Sequence, residues 1–414
     1  MMSKRDAADG SQQVAKATRA RAAGRWYQRG RRLLTLLLRG CLLLILVPGF
    51  YLTVFPQGRA AVRAAFVLPA LISASQPGIL LAVGNPIQHT QRQMQSRSGP
   101  VYLDIYAPTT SSPQLAGARG GLLIVSGVGD NRQVPQLINL SEALARSGMV
   151  VMNMTTPTLM NYMISAQDSD ATVQAFLTLQ DLPALQGRRS GIIAFSGGVP
   201  LMCFAAADPR IRTQVASITA FGGYFDTRTL VHTFGSRSLL IDGKHEAWHP
   251  IAIPIGVLAN MTTQYLSTSE QSSITAALAP QGAPLSNAEL AQFSPGAQAI
   301  YHLLKGDQPQ RVDANMAALP PNVQSLLDTL SPRRVLAQIQ APIFLLHDRN
   351  DASLPVTETR AFAAALTRLH HSHEYVEFHI FDHVEVRSGL QIGQVLGDGT
   401  QLFLLLDHLL SSVG

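Results

Sequence analysis

Between residues 120 and 223 the chain alternates short apolar runs with stretches of helical spacing, and this alternation leaves few folds open. Residues 121–125, 149–154, 190–195 and 215–221 are apolar with no regular polar position. Such runs suit strands buried on both faces, which occur in parallel sheets covered by helices. Between them, 135–146, 171–185 and 199–207 have helical spacing, with stops at Gly148 and Asp208-Pro209. Residues 101–106 alternate, as an antiparallel edge strand does. The fold expected is α/β, a mainly parallel sheet with helices on both faces. The pattern breaks over 224–335, which reads as an inserted helical lid interrupted at Gly282-Ala283-Pro284 and Pro320-Pro321. It resumes with a strand at 343–346, a helix at 356–369, a strand at 375–381 and a helix at 401–410. Residues 99–223 and 336–414 are thus the two parts of one core.

Net charge is misleading for the chain as a whole. The formal value is +6, but residues 1–32 hold nine Lys or Arg against Asp6 and Asp9, which is +7 and leaves −1 for the rest. A nucleic-acid-binding body would need its own basic stripe, and none is present. The basic residues form a tail in front of an apolar run at 33–55, about 23 positions and long enough to span a bilayer at about 1.5 Å per residue. Arg39 lies near the start, where it can snorkel to the headgroups. Basic residues ahead of the span place the N-terminus in the cytosol. A long basic region and the poor site Val62-Arg63-Ala64 speak against a cleaved signal. The expectation is therefore a single-pass membrane protein with membrane lipid as a partner. A second apolar stretch at 64–84 holds Pro69 and Pro77. It reads as surface-lying or core-docked rather than as a second span, and 56–98 as an apolar linker or membrane-associated segment. Cys41 and Cys203 provide no disulfide framework.

Chemistry enters at Ala194-Phe195-Ser196-Gly197-Gly198, set between a strand and a helix. A nucleophile elbow needs this arrangement: a sharp turn lifts the hydroxyl above the sheet, and small residues two before and two after let the chain pass. Asp351 follows a strand and the loop His347-Asp348-Arg349-Asn350, and His383 follows the last strand. The order Ser196, Asp351, His383 is that of a nucleophile, an orienting acid and a base, each at the carboxyl end of a strand. His379 falls within the last strand and Asp382 points away by alternation, so neither is chosen. The backbone N–H groups of Gly197 and Val128 are the expected oxyanion donors. The chemistry requires no metal and no organic cofactor.

These pieces resemble the α/β-hydrolase superfamily, in particular its bacterial dienelactone-hydrolase-like and prolyl-oligopeptidase-like esterase branch. The resemblance rests on Ser126-Gly127-Val128-Gly129, Ala194-Phe195-Ser196-Gly197-Gly198, residues 205–210, Phe221-Gly222-Gly223-Tyr224-Phe225-Asp226 and Phe381-Asp382-His383-Val384. Ala194 stands where glycine is usual, and Ser126 where many members carry His. The resemblance implies a serine hydrolase acting on a small-molecule ester, with an apolar group suggested by the Leu, Ala and Met of the lid. A peptidase of the same fold and an inactive binding module at the membrane are the alternatives. His245-Glu246-Ala247-Trp248-His249 fits a zinc-protease pattern, but Pro250 leaves its helix no room. His370, His371 and His373 read as a solvated loop, and His347 as either a site-lining or a satisfied structural residue.

Overall fold

The computed structural model describes residues 51, 55–72, 78–109, 120–387 and 392–414. The chain divides into Met1–Arg59 and Ala60–Gly414. The expected span at 33–55 falls in the first unit and, Tyr51 and Phe55 aside, outside the described residues. Among the described residues no helix is long and apolar enough to cross a membrane.

The second unit is organised around one sheet of eight strands, ordered β1-β2-β4-β3-β5-β6-β9-β10. In chain order come helices α1 (Pro56–Ile72) and α2 (Gly78–Val83), strands β1 (Ile87–Ser96), β2 (Gly99–Pro108) and β3 (Gly121–Val125), helix α3 (Pro135–Arg146), β4 (Val150–Thr155), α4 (Asp168–Gln180), β5 (Ser190–Phe195), α5 (Gly198–Ala207) and β6 (Val215–Phe221). After the lid come β9 (Ile343–Asp348), α12 (Val356–Arg368), β10 (His373–Phe378), the two-residue strands β11 (Phe381–Asp382) and β12 (Glu385–Val386), and α13 (Ile392–Val413). Strand β2 runs antiparallel to β1 and β4, and the remaining pairs are parallel. This mostly parallel α/β sheet is consistent with an α/β-hydrolase fold.

The apolar runs without alternation are explained by two cores. Leu122, Ile124 and Ile193 pack on one face with α1, α3 and α13. Their neighbours Leu123, Val125 and Ile192 pack on the other face with α4, α5, α12 and the lid. A strand covered on both sides has no polar face to show.

Two expectations need correction. Residues 101–106 are not the edge: ten residues at Ile87–Ser96, placed above in a linker, form the outermost strand, paired throughout with β2. Their mostly polar, exposed side chains hide the strand from an apolar criterion. The described parts of the segment 64–84 dock on the core, as one of the readings above expected: Ala64 and Val67 are buried at helical spacing with Ala60 before them, Leu80 packs with Ala70 and with Ala143 of α3, and Asn139 Nδ2 of α3 donates to Ala70 O (3.2 Å). Second, the lid is not all helix. Between α6 (Thr227–Ser236) and α7 (Ala252–Thr263) lies a hairpin of β7 (Ser238–Ile241) and β8 (Lys244–Ala247). Helices α8 (Thr268–Leu278), α9 (Pro295–Lys305), α10 (Val312–Ala317) and α11 (Pro321–Thr329) complete it. The His245-Glu246 pair lies on β8, so the helical spacing that the zinc pattern needs is absent. Glu246 instead pairs with Arg349 (2.8 Å).

Candidate active site

Strand β5 ends at Phe195, α5 starts at Gly198, and Ser196 makes the turn between them with φ +51°. A non-glycine residue in this left-handed region is strained, and such strain persists only where the surroundings enforce it. Ser196 N–H donates to Phe221 O (2.9 Å), which ties the turn to β6. A Cβ at Gly198 would lie 2.4 Å from Val125 O, so the position two after the serine must be glycine. The position two before accepts Ala194, fully buried in the core.

The turn after β3 lies against this elbow. A Cβ at Gly127 would come within 3.0 Å of Ser196 Cβ. Asn131 Nδ2 donates to Gly127 O and to Val128 O, both at 3.0 Å. The Gly127 carbonyl and the Val128 N–H share one planar trans peptide, so holding the oxygen turns the N–H away from Asn131. The Gly197 N–H is at the amino end of α5, where backbone donors lack intrahelical partners and the helix dipole is positive. Ser126 Oγ is buried on the cavity wall and meets no hydrogen-bond partner among the described residues.

His383 lies in the turn between β11 and β12 with φ +60°. Its Nδ1 is 2.7 Å from Asp351 Oδ2. Asp351 Oδ1 accepts from Ser353 N (2.6 Å) and Leu354 N (2.9 Å). A second imidazole reaches the same carboxylate: His347 Nε2 is 3.2 Å from Oδ2 and 3.0 Å from Leu354 O. Both of those atoms only accept, so Nε2 carries the proton, an assignment made from the network. His347 Nδ1 sits 2.6 Å from Thr359 Oγ1. Burial pushes the Asp351 pKa up, but the charge of His383 and the hydrogen bonds from His347 and His383 outweigh it and hold the carboxyl well below its ordinary range. Burial pushes His347 down, and its contact with Asp351 reverses this, so its pKa is raised.

The other nearby acids do different things. Asp348 Oδ2 accepts from Phe381 N (2.8 Å), which pins the start of the His383 turn to the end of β9. Asp382 is exposed on the cavity wall. His379 lies in the bend after β10 rather than within the strand, half exposed and 4.0 Å from Asp398. Trp248 Nε1 donates to Asp351 O (2.8 Å) and anchors the acid loop to the lid. A Cβ at Gly222, which has φ +59°, would lie 3.1 Å from two atoms of the His383 ring.

The expected residues are thus brought to one place. Asp351 and His383 are in direct contact, and Ser196, Gly197, Val128 and His383 line one cavity of about 470 Å³. That is within the ordinary range for a small-molecule site. Sequence reasoning missed the bond from His347 to Asp351, the room that Gly222 leaves, and the part played by Trp248. The i, i+4 spacing of His347 and Asp351 was visible, but the loop between them is not a helix, so spacing gave no sign of contact.

No family model matches the chain, and no curated protein matches it. Solved structures do. An acylaminoacyl peptidase of Pyrococcus horikoshii is 12% identical with a TM-score of 0.45, over 81% of this chain and 43% of that one. A dipeptidyl peptidase 4 of Porphyromonas gingivalis is 14% identical with a TM-score of 0.44, over 77% and 35%. A 2,6-dihydroxy-pseudo-oxynicotine hydrolase is 14% identical with a TM-score of 0.43, over 78% and 68%. The chain spans less than half the length of the two peptidases.

Proposed function

We propose that the protein is a serine hydrolase that cleaves a carboxylic ester through an acyl-enzyme, with Ser196 as nucleophile, His383 as base and Asp351 as the orienting acid. The observation that carries this reading is the strained Ser196 turn opening on the cavity that also holds His383, itself bonded to Asp351. With Nδ1 engaged by Asp351, His383 offers Nε2 as the base. Ser196 Oγ attacks the ester carbonyl and its proton passes to Nε2. The oxyanion is held by the N–H groups of Gly197 and Val128. His383 then returns the proton to the leaving alkoxide, and water repeats the sequence on the acyl-enzyme. The mainly apolar wall suits an ester with an apolar group. We further propose that residues 33–55 anchor the enzyme in a membrane with residues 1–32 in the cytosol, a reading supported by the apolar run and the basic residues before it.

The test is Ser196→Ala assayed on short p-nitrophenyl esters and on the matching anilides. A fall of about 10⁴-fold or more is expected for loss of a triad nucleophile. Activity within about tenfold of wild type would remove Ser196 from the mechanism, since that loss is far smaller than the one expected. Faster cleavage of anilides than of esters would turn the reading to the peptidase.

A further inference from the structure

The cavity does not stay on one side of the sheet. On one face of the sheet it is lined by Leu71 of α1 and by Leu137 and Leu140 of α3, which pack in the core on the α3 and α13 face, and by Ala70 of α1, which packs in a smaller cluster with Ala143 of α3. On the other side it is lined by Leu230 of α6 and by Val257, Leu258 and Met261 of α7, which belong to the core on the lid face. The cavity therefore draws its walls from both faces of the sheet, and Ser196 and His383 are among the residues that line it. Both arms have apolar walls, and the lid arm also carries the hydroxyls of Tyr224 and Thr227. Among the described residues that line it there is no Lys or Arg, and Asp382 is the one acid.

We propose that this is a two-armed site whose substrate is an uncharged ester with an apolar chain on each side of the scissile carbonyl, one chain under α1 and α3 and the other under the lid helix α7. The proposal rests on Ser196 being the nucleophile and adds what flanks the bond it cleaves. A carboxylate or phosphate on the substrate would find no cation in the wall, and a desolvated, unpaired charge is costly. A chain in either arm is removed from water, and each methylene taken up tightens binding about fourfold while the arm has room. The α1 arm gives the docked N-terminal segment a use: a segment that precedes the sheet forms a wall of the site.

Two substrate series separate the arms, p-nitrophenyl esters of lengthening acyl chain and butanoate esters of lengthening alcohol. In the wild type kcat/KM should rise with chain length in both. Leu71→Trp should flatten one series by tenfold or more at the longest chain and leave the other unchanged, and Val257→Phe should do the reverse. Leu137→Phe and Ile253→Trp serve as second variants if either misfolds. If both blocks flatten the same series, or neither flattens any, the two-armed site is wrong. Binding is read independently of chemistry by titrating symmetrical dialkyl ketones of rising length into the Ser196→Ala protein. Affinity that grows with length and falls with either block supports the two arms even if hydrolysis proves not to use Ser196. Ketones that fail to bind, or that gain nothing from length, overturn the proposal while leaving the hydrolase reading intact.

Discussion

Asp351 holds its charge although buried because four N–H groups point at it: two backbone amides of its own loop, His383 and His347. A buried carboxylate is tolerated only when so satisfied. Asp351→Asn should lower kcat by about 10⁴, since the amide favours the wrong imidazole tautomer, whereas Asp382→Asn should stay close to wild type on the same esters. Folding lowers the Asp351 pKa, so its contribution to stability is present above the unfolded value of about 3.9 and is lost as pH falls through the folded one. The difference in melting temperature between wild type and Asp351→Asn should therefore shrink steadily below about pH 4. His347 is a positioning residue in this network. His347→Phe removes one donor from a buried anion and should cost about ten- to a hundredfold in kcat. His347→Gln, which keeps an N–H at that end, should recover most of it. Equal losses in both variants, matched by equal losses of melting temperature, would reduce His347 to a packing role.

At the scale of elements, turns do most of the positioning. The Ser196 elbow, the Gly222 bend and the His383 turn each contain a left-handed residue; the first two directly follow strands of the sheet, and the third joins the short strands β11 and β12. Gly222 sits against the imidazole, so a side chain there strikes His383 rather than Ser196. Gly222→Ala should lower kcat strongly through a displaced His383 while Ser196 still labels with a fluorophosphonate. Its stability cost should be about 1–2 kcal/mol for a left-handed alanine, measured by urea unfolding. Loss of labelling together with loss of folding would contradict this division of roles. Asp348 works at this scale too, since its bond to Phe381 N sets where the His383 turn begins.

At the scale of the whole molecule, the proposed span at 33–55 makes a prediction about attachment. A full-length protein held by a spanning helix at 33–55 should stay in the membrane fraction through carbonate and high-salt washing, because its association is hydrophobic. A tail bound by charge alone would be released, its attraction being screened over about 10 Å at roughly 0.1 M salt. Deleting residues 1–56 should release the remaining unit with its melting temperature kept, since the docked positions Ala60, Ala64 and Val67 remain. Release of the full-length protein by salt would remove the span.

The amino-acid pattern by itself determined the strands that are buried on both faces, because such strands are apolar throughout and have no alternation to blur. Residues 121–125, 190–195 and 215–221 match the observed strands end to end. It also pointed to Ser196, which occupies a turn directly after such a strand, and to His383, although the last strand of the sheet ends at Phe378 rather than at 381 and His383 turns between β11 and β12. It could not find β1, whose exposed polar side chains gain their order from backbone pairing with β2 rather than from burial. Nor could it decide between helix and hairpin over 238–247, where short-range pattern is weak and the pairing is held by contacts distant in sequence, such as Glu246 with Arg349 and Trp248 with Asp351. Only the tertiary structure brought a second histidine to Asp351, placed Gly222 against His383 and laid α1 along the cavity, because each of these depends on distances between segments that local sequence does not encode.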